Sequence, residues 1–333
     1  MPPNTLTMGA KMGWRKAVAL ALAAGALLSV PATAPSAAAP ERDYEANLVD
    51  GLVVNAASGG PAWWTVTAGN GAKVYVLGVP SGLPKGQAWS TAKLEFRLKG
   101  ASAVILPPTA RANPIKAAAF FLFHRKPFES RGPMEDSLPP ALRARFVAAR
   151  TGLGKPATRY AKWKPGVAGL MIGGDFREAL KISFKQPDDQ IEALADRAHV
   201  PRHKVASYDV LPLLKNMASL PDSAHQACLS DSLTEIEAGR ERALAAAAGW
   251  ARGDVRAALG AERGFDKCIA GVPGMSAYID RSIADTSNAI AAALTKPGRT
   301  IAIAPLRLLL ARDGVLERLK ARGFKVETPA TAG

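Results

Sequence analysis

The stretch Lys73-Val74-Tyr75-Val76-Leu77-Gly78-Val79-Pro80-Ser81-Gly82-Leu83-Pro84 constrains this chain more than any other. Residues 73–77 carry two valines and a tyrosine, which suit a pleated strand with one face buried. Gly78, Pro80, Gly82 and Pro84 then break the run, so the chain is expected to leave the strand at Gly78. Just before it, residues 63–67 alternate in strand fashion and lead into Gly69-Asn70-Gly71, a hairpin signal. In α/β proteins ligands sit outside the carboxyl ends of strands. The loop after residue 77 is therefore a candidate site, with Ser81 its only polar side chain before Lys85.

From there the chain reads as strands at both ends and helices between. Ser90 can cap a helix to about Lys99, with Leu94 and Leu98 on its apolar side, and residues 103–106 form the next strand, closed by Pro107-Pro108. Helices are expected at 114–123, at 137–150, from Gly173-Gly174-Asp175 to about 181, and at 188–197. Residues 204–208 read as a short strand. Residues 211–259 are Ala- and Leu-rich and helical, interrupted at Pro221 and Gly253, and a further helix covers about 275–294. A buried strand at 300–304, a loop, a helix at 313–322 stopped by Gly323, and a last strand at 324–326 complete the chain. The expected fold is α/β: a central sheet from the amino- and carboxyl-terminal parts with a large helical middle at about 211–294. The organisation is a signal peptide over 1–39, a leader over 40–60, one domain over 61–327 and a tail over 328–333.

The signal reading rests on Lys11, Arg15 and Lys16, the apolar run 17–30, and the small residues of Ala32-Thr33-Ala34 and Ala37-Ala38-Ala39. It predicts a periplasmic or secreted protein with no transmembrane segment once the signal is removed. The formal charge is +15; three of the basic and none of the acidic residues lie in the first 40, which leaves +12 for the rest. Such a surface favours anionic small molecules, polymers or membranes, or a protein partner. Lys and Arg are dispersed, with few aromatics among them, which argues against nucleic acid. The two cysteines, Cys228 and Cys268, read as a disulfide in an exported chain, and they lack paired C-x-x-C zinc spacing.

Other constellations point to structure. Of His124, His199, His203 and His225, only His199 and His203 have metal-like spacing, and Pro201 between them breaks the helix that spacing would need. They read as solvated loop residues. Ser81 does not stand in a G-x-S-x-G elbow, because Pro80 occupies the nucleophile position. Asp188-Asp189 suit a helix amino terminus. Trp63-Trp64 read as one core and one surface tryptophan, with a sugar platform as the alternative.

Taken together, several ordered pieces resemble the TraB/PrgY/GumN family, which includes the Tiki metalloproteases. They are Pro61-Ala62-Trp63, the 73–78 strand, Leu83-Pro84, Trp89, Gly174-Asp175 and Trp250-Ala251-Arg252-Gly253-Asp254. The ending matches too, with residues 300–304, Gly314-Val315-Leu316 and Leu319 to Val326. The resemblance implies metal-dependent hydrolysis, with histidines from two G-x-x-H-type motifs and a glutamate after an intervening strand. This sequence departs at all three. Ser81 stands for the first histidine, Pro107 for the glutamate and Arg307 for the second histidine. A hydroxyl, a ring without a donor and a permanent cation cannot hold a metal. A further basic residue of the family aligns with Arg281. The expectation is therefore a pseudoenzyme without cofactor or metal, binding an anionic ligand at Ser81, Arg307 and Arg281 or a protein partner. The alternative class is an active hydrolase that uses other residues.

Overall fold

The computed structural model describes residues 47–330 apart from 57, 58, 112, 124, 186 and 262, and for 114, 117 and 121 the backbone only. The signal peptide, the start of the leader and His124 lie outside the described residues.

The Trp63–Thr67 and Lys73–Val79 strands form the expected hairpin, paired from Thr67↔Lys73 to Trp63↔Leu77. Asn70 holds the turn in place: its Oδ1 accepts from the Ala72 amide at 3.0 Å, and its Nδ2 donates to the Leu294 and Thr295 carbonyls. A six-stranded sheet grows from this hairpin in the order 325–327, 63–67, 73–79, 299–305, 104–106, 202–204. The last four strands in that order run parallel to one another, and 63–67 runs against its neighbours. The helix Ala92–Leu98, buried through Leu94 and Leu98, links 73–79 to Val104–Leu106. Between those two strands the chain leaves a place, and Arg299–Pro305 from the far end of the sequence fills it. The sheet is thus built from both ends of the chain.

Several local expectations change. The strand that begins at Lys73 does not end at Gly78; it continues through Val79, with Gly78 paired to Ala304. Gly78 is there for close packing. An added Cβ would stand 2.5 Å from Leu306 Cδ1 and 3.3 Å from the Trp64 ring. Trp63 and Trp64 are both buried, so neither is a surface platform; the Arg97 guanidinium lies 4.3 Å from the Trp63 ring centre and 4.5 Å from that of Tyr75. Gly173-Gly174-Asp175 sits well inside a helix, Pro165–Ala179, that starts on Pro165, a favoured first helical residue. The segment after 299–305 is a short helix, Leu306–Leu310, and the 204–208 region is two strands, Arg202–Lys204 and Ser207–Asp209. His203 therefore sits on an exposed edge strand, and His225 is fully buried on a helix.

The helical middle holds Asp222–Arg252, Gly264–Ala270 and Met275–Ala293, ending near the expected boundary, with helices from 114 onward before it. Within 222–252 the path breaks at Gly239, whose φ of 84° and ψ of 174° belong to a region essentially restricted to glycine. The Cys228–Cys268 disulfide joins 222–252 to 264–270. The end of the leader packs on the domain, with Leu52 buried and Val49 and Ala56 donating to Leu310 and Gly253. No helix among the described residues is long and apolar enough to cross a membrane.

Candidate functional site

Because 73–79 and 299–305 run parallel with Val79 opposite Pro305, both strands leave the sheet on the same edge. Ser81 follows the first and Arg307 the second. The structure brings them together: both line a crevice of about 80 Å³ with Leu259, Arg263 and Asp266. It shares Ser81 and Asp266 with a neighbouring crevice of about 90 Å³, formed with Arg177, Glu235, Gly239 and Arg242. The strand 104–106 ends on the same edge, yet Pro107 lines neither space. Arg281 lines neither. It lies on the helix 275–293 with its guanidinium 5.1 Å from the Tyr208 ring centre and 3.6 Å from an Asp285 oxygen.

The crevice walls are fixed by polar contacts. Arg307 donates to the Leu259 and Ala261 carbonyls, which holds the 255–261 segment against the strand end. Arg177 grips Glu235 bidentately, with Nε and Nη2 each 3.0 Å from a carboxylate oxygen. Its guanidinium also stacks at 4.6 Å on Phe265 and 5.4 Å on Phe184. The Phe265 amide donates to Glu235 at 2.9 Å, and Arg242 Nε donates to the Gly260 carbonyl. On the sheet side, the Trp250 indole donates to the Gly78 carbonyl at 2.8 Å, pinning the strand just before it opens.

Among the described residues the two spaces are lined by four arginines against two carboxylates. The local balance of charge is positive. Among the described residues, no three His, Cys, Asp or Glu side chains converge to hold a metal. Ser81 and Arg307 were named from the sequence; Arg177, Glu235, Arg242 and Asp266, which line the same two spaces, were not. The one available signal was Gly239, a glycine inside an otherwise strong helical run. The chain breaks there, and Gly239, Arg242 and Ala243 line the same crevice as Ser81.

A mixed sheet whose parallel strands open on one edge into an arginine-lined crevice defines an α/β protein, and that edge is where ligands of α/β proteins generally sit. The chain belongs to the TraB/PrgY/gumN family, whose profile matches residues 62–328. No curated protein and no solved structure matches it.

Proposed function

We propose that this is an exported TraB/gumN-family protein that has given up metal-dependent hydrolysis and binds an anionic ligand in the crevice between Ser81 and Arg307. The observation that carries the reading is that Ser81 and Arg307 stand at the ends of adjacent parallel strands and line one space. The donors there do not fit a divalent metal: the hydroxyl is a weak ligand and the guanidinium already donates to two carbonyls. The same groups suit a carboxylate or phosphoryl oxygen, with the cation fixed and the hydroxyl donating. The basic amino-terminal run and the disulfide support an oxidising, exported setting.

Calorimetry with a panel of phosphorylated and carboxylated metabolites tests this. We expect at least one anion to bind, and Ser81→Ala and Arg307→Lys each to weaken it by about tenfold, the worth of one charge-assisted hydrogen bond. Thermal melts of both variants separate lost binding from lost packing of the 255–261 segment. No binding, or binding that neither variant changes, overturns the reading. So does elemental analysis that finds about one tightly held metal per chain whose removal abolishes a hydrolytic activity.

A further inference from the structure

We infer that the helix Pro114–Phe123 is a docking element for an anionic membrane surface. Its ten residues carry one charged side chain, Lys116. The inward side is anchored by Phe120, which is buried edge-on to Phe128 with ring centres 5.8 Å apart, in a cluster with Leu211 and Ala218. The outward side is also apolar: Ile115 is 79% exposed, Leu122 75% and Phe123 76%. Three large apolar side chains together in water on one short helix call for something to cover them.

The charges around the helix identify the cover. From residue 96 to 128 the sequence has no Asp or Glu, while Lys116, Arg125 and Lys126 lie in or beside the helix; Arg111, in the strand 109–111, is the register partner of Asp209 and is not part of that excess. The first carboxylates beyond it are already paired: Glu129 with Arg125, Glu135 with Arg150, and Asp136 with Arg143. Arg125 and Lys162 both sit over the Trp163 ring, at 5.7 and 5.0 Å, which brings Lys162 to the carboxyl end of the helix. Among the described residues no carboxylate forms an ion pair with Lys116, Lys126 or Lys162. The result is an exposed apolar helix face with lysines at both ends and a tryptophan near its carboxyl end. Exposed apolar side chains flanked by cations suit a fluid interface whose headgroups are anionic. At about 15 Å the helix is far too short to span a bilayer, so it would lie in the interfacial plane. The inference stands apart from the crevice and does not depend on its ligand.

Flotation of the purified protein with vesicles tests it. We expect binding to mixed phosphatidylglycerol–phosphatidylcholine vesicles, weak or no binding to phosphatidylcholine alone, and loss of affinity as salt rises. The double variant Leu122→Asp, Phe123→Asp alters only exposed positions and should keep its melting temperature while losing about tenfold or more in affinity. Lys126→Glu with Lys162→Glu should cost about tenfold at low salt and flatten the salt dependence. Phe123→Trp supplies a direct readout, a blue-shifted emission quenched by brominated lipid. Absence of binding to the anionic vesicles overturns the proposal. Full retention by the Leu122→Asp, Phe123→Asp variant also overturns it, because adsorption would then be general to a basic protein.

Discussion

The sheet and the helical middle are held together by different means. Around the sheet, one continuous apolar core joins Trp64, Val76, Leu94, Ile290, Ile303, Leu309 and Leu316. The helices between the two sheet-forming ends share that core through Trp250, Val255, Ile283 and Ile290. Others of their buried side chains fall in separate smaller clusters, one around Phe146, Tyr160 and Leu229, another around Met217 and Val272. These helices come close through small residues. A Cβ added at Gly169 would lie 2.9 Å from Leu229 Cα, and one at Gly166 would lie 2.6 Å from His225 Nδ1. Small side chains bury little apolar area each. The middle compensates with directed ties: the disulfide, a buried carboxylate and the Arg177–Glu235 pair. A broad core loses a little with each change, whereas a few ties fail one at a time.

The largest test is the disulfide. Removing it through Cys228→Ser with Cys268→Ser should cost about 3–4 kcal/mol, since the bond closes a long loop. Denaturant unfolding gives the total, and hydrogen exchange should show protection lost first in 222–270, with the 73–79 and 299–305 strands still protected. Uniform loss of protection would mean that the two regions unfold as one.

A pair of alanines sharpens the contrast. At Gly264 an added Cβ would stand 2.2 Å from the Asp231 carbonyl oxygen, backbone that cannot step aside. At Gly78 the nearest atom is the end of the Leu306 side chain, which can change rotamer. Overpacking costs about 1–3 kcal/mol, so Gly264→Ala should fall near the top of that range and Gly78→Ala near the bottom. Equal losses would contradict the comparison.

Asp175 comes next. It is buried and accepts from Arg159 at 2.6 and 2.5 Å and from the Tyr160 hydroxyl at 2.5 Å, with Lys155 3.8 Å away. Burial alone pushes its pKa up, but the hydrogen bonds from Arg159 and Tyr160 outweigh that and hold it below the usual carboxylate range. A depressed folded pKa contributes stability above the unfolded value near 3.9, and that stability is lost as pH falls through the folded value. Asp175→Asn should cost about 2 kcal/mol at neutral pH, because Arg159 is partly exposed and water replaces some of what is lost. It should also flatten the acid limb of the stability curve.

The same contrast explains what could be read in advance. The sheet was legible because period-two apolar runs, an Asn-Gly turn and Gly/Pro breaks are local signals. The shared strand edge at Ser81 and Arg307 followed from the family resemblance, and the disulfide from compartment and cysteine count. What stayed hidden depends on distance. Arg177 and Glu235 lie 58 residues apart in sequence and meet only when two helices pack. Gly78 read as a strand end, although its role is room for Leu306 and the Trp64 ring, a tertiary demand that composition does not display. Gly174-Asp175 read as a helix start, yet the residue that starts the helix is Pro165, and Asp175 serves as a buried acceptor in its interior.

The smallest effect tests whether the middle is also where the protein senses pH. His225 is fully buried one turn before Cys228, pressed against Gly166, with neither ring nitrogen hydrogen-bonded among the described residues. Burial and then the charge of Lys164 push its pKa below the ordinary 6.5, against a smaller opposing pull from Asp222. The folded state therefore resists a proton that the unfolded state accepts. Stability is unaffected well above pH 6.5 and falls as pH drops below it, by at most about 1.4 kcal/mol per pH unit. Asp188 works the other way in part of that window. Its carboxyl, raised to about 6 by burial and by Glu192 and Asp189, adds stability when protonated and loses it as pH rises through 6. The wild-type curve alone would blend the two. The difference between wild type and His225→Gln cancels Asp188, because that group is present in both. We expect the stability of His225→Gln relative to wild type to improve as pH falls below 6.5. A difference that stays flat across that range would show that His225 does not titrate against folding and that the middle holds no such sensor.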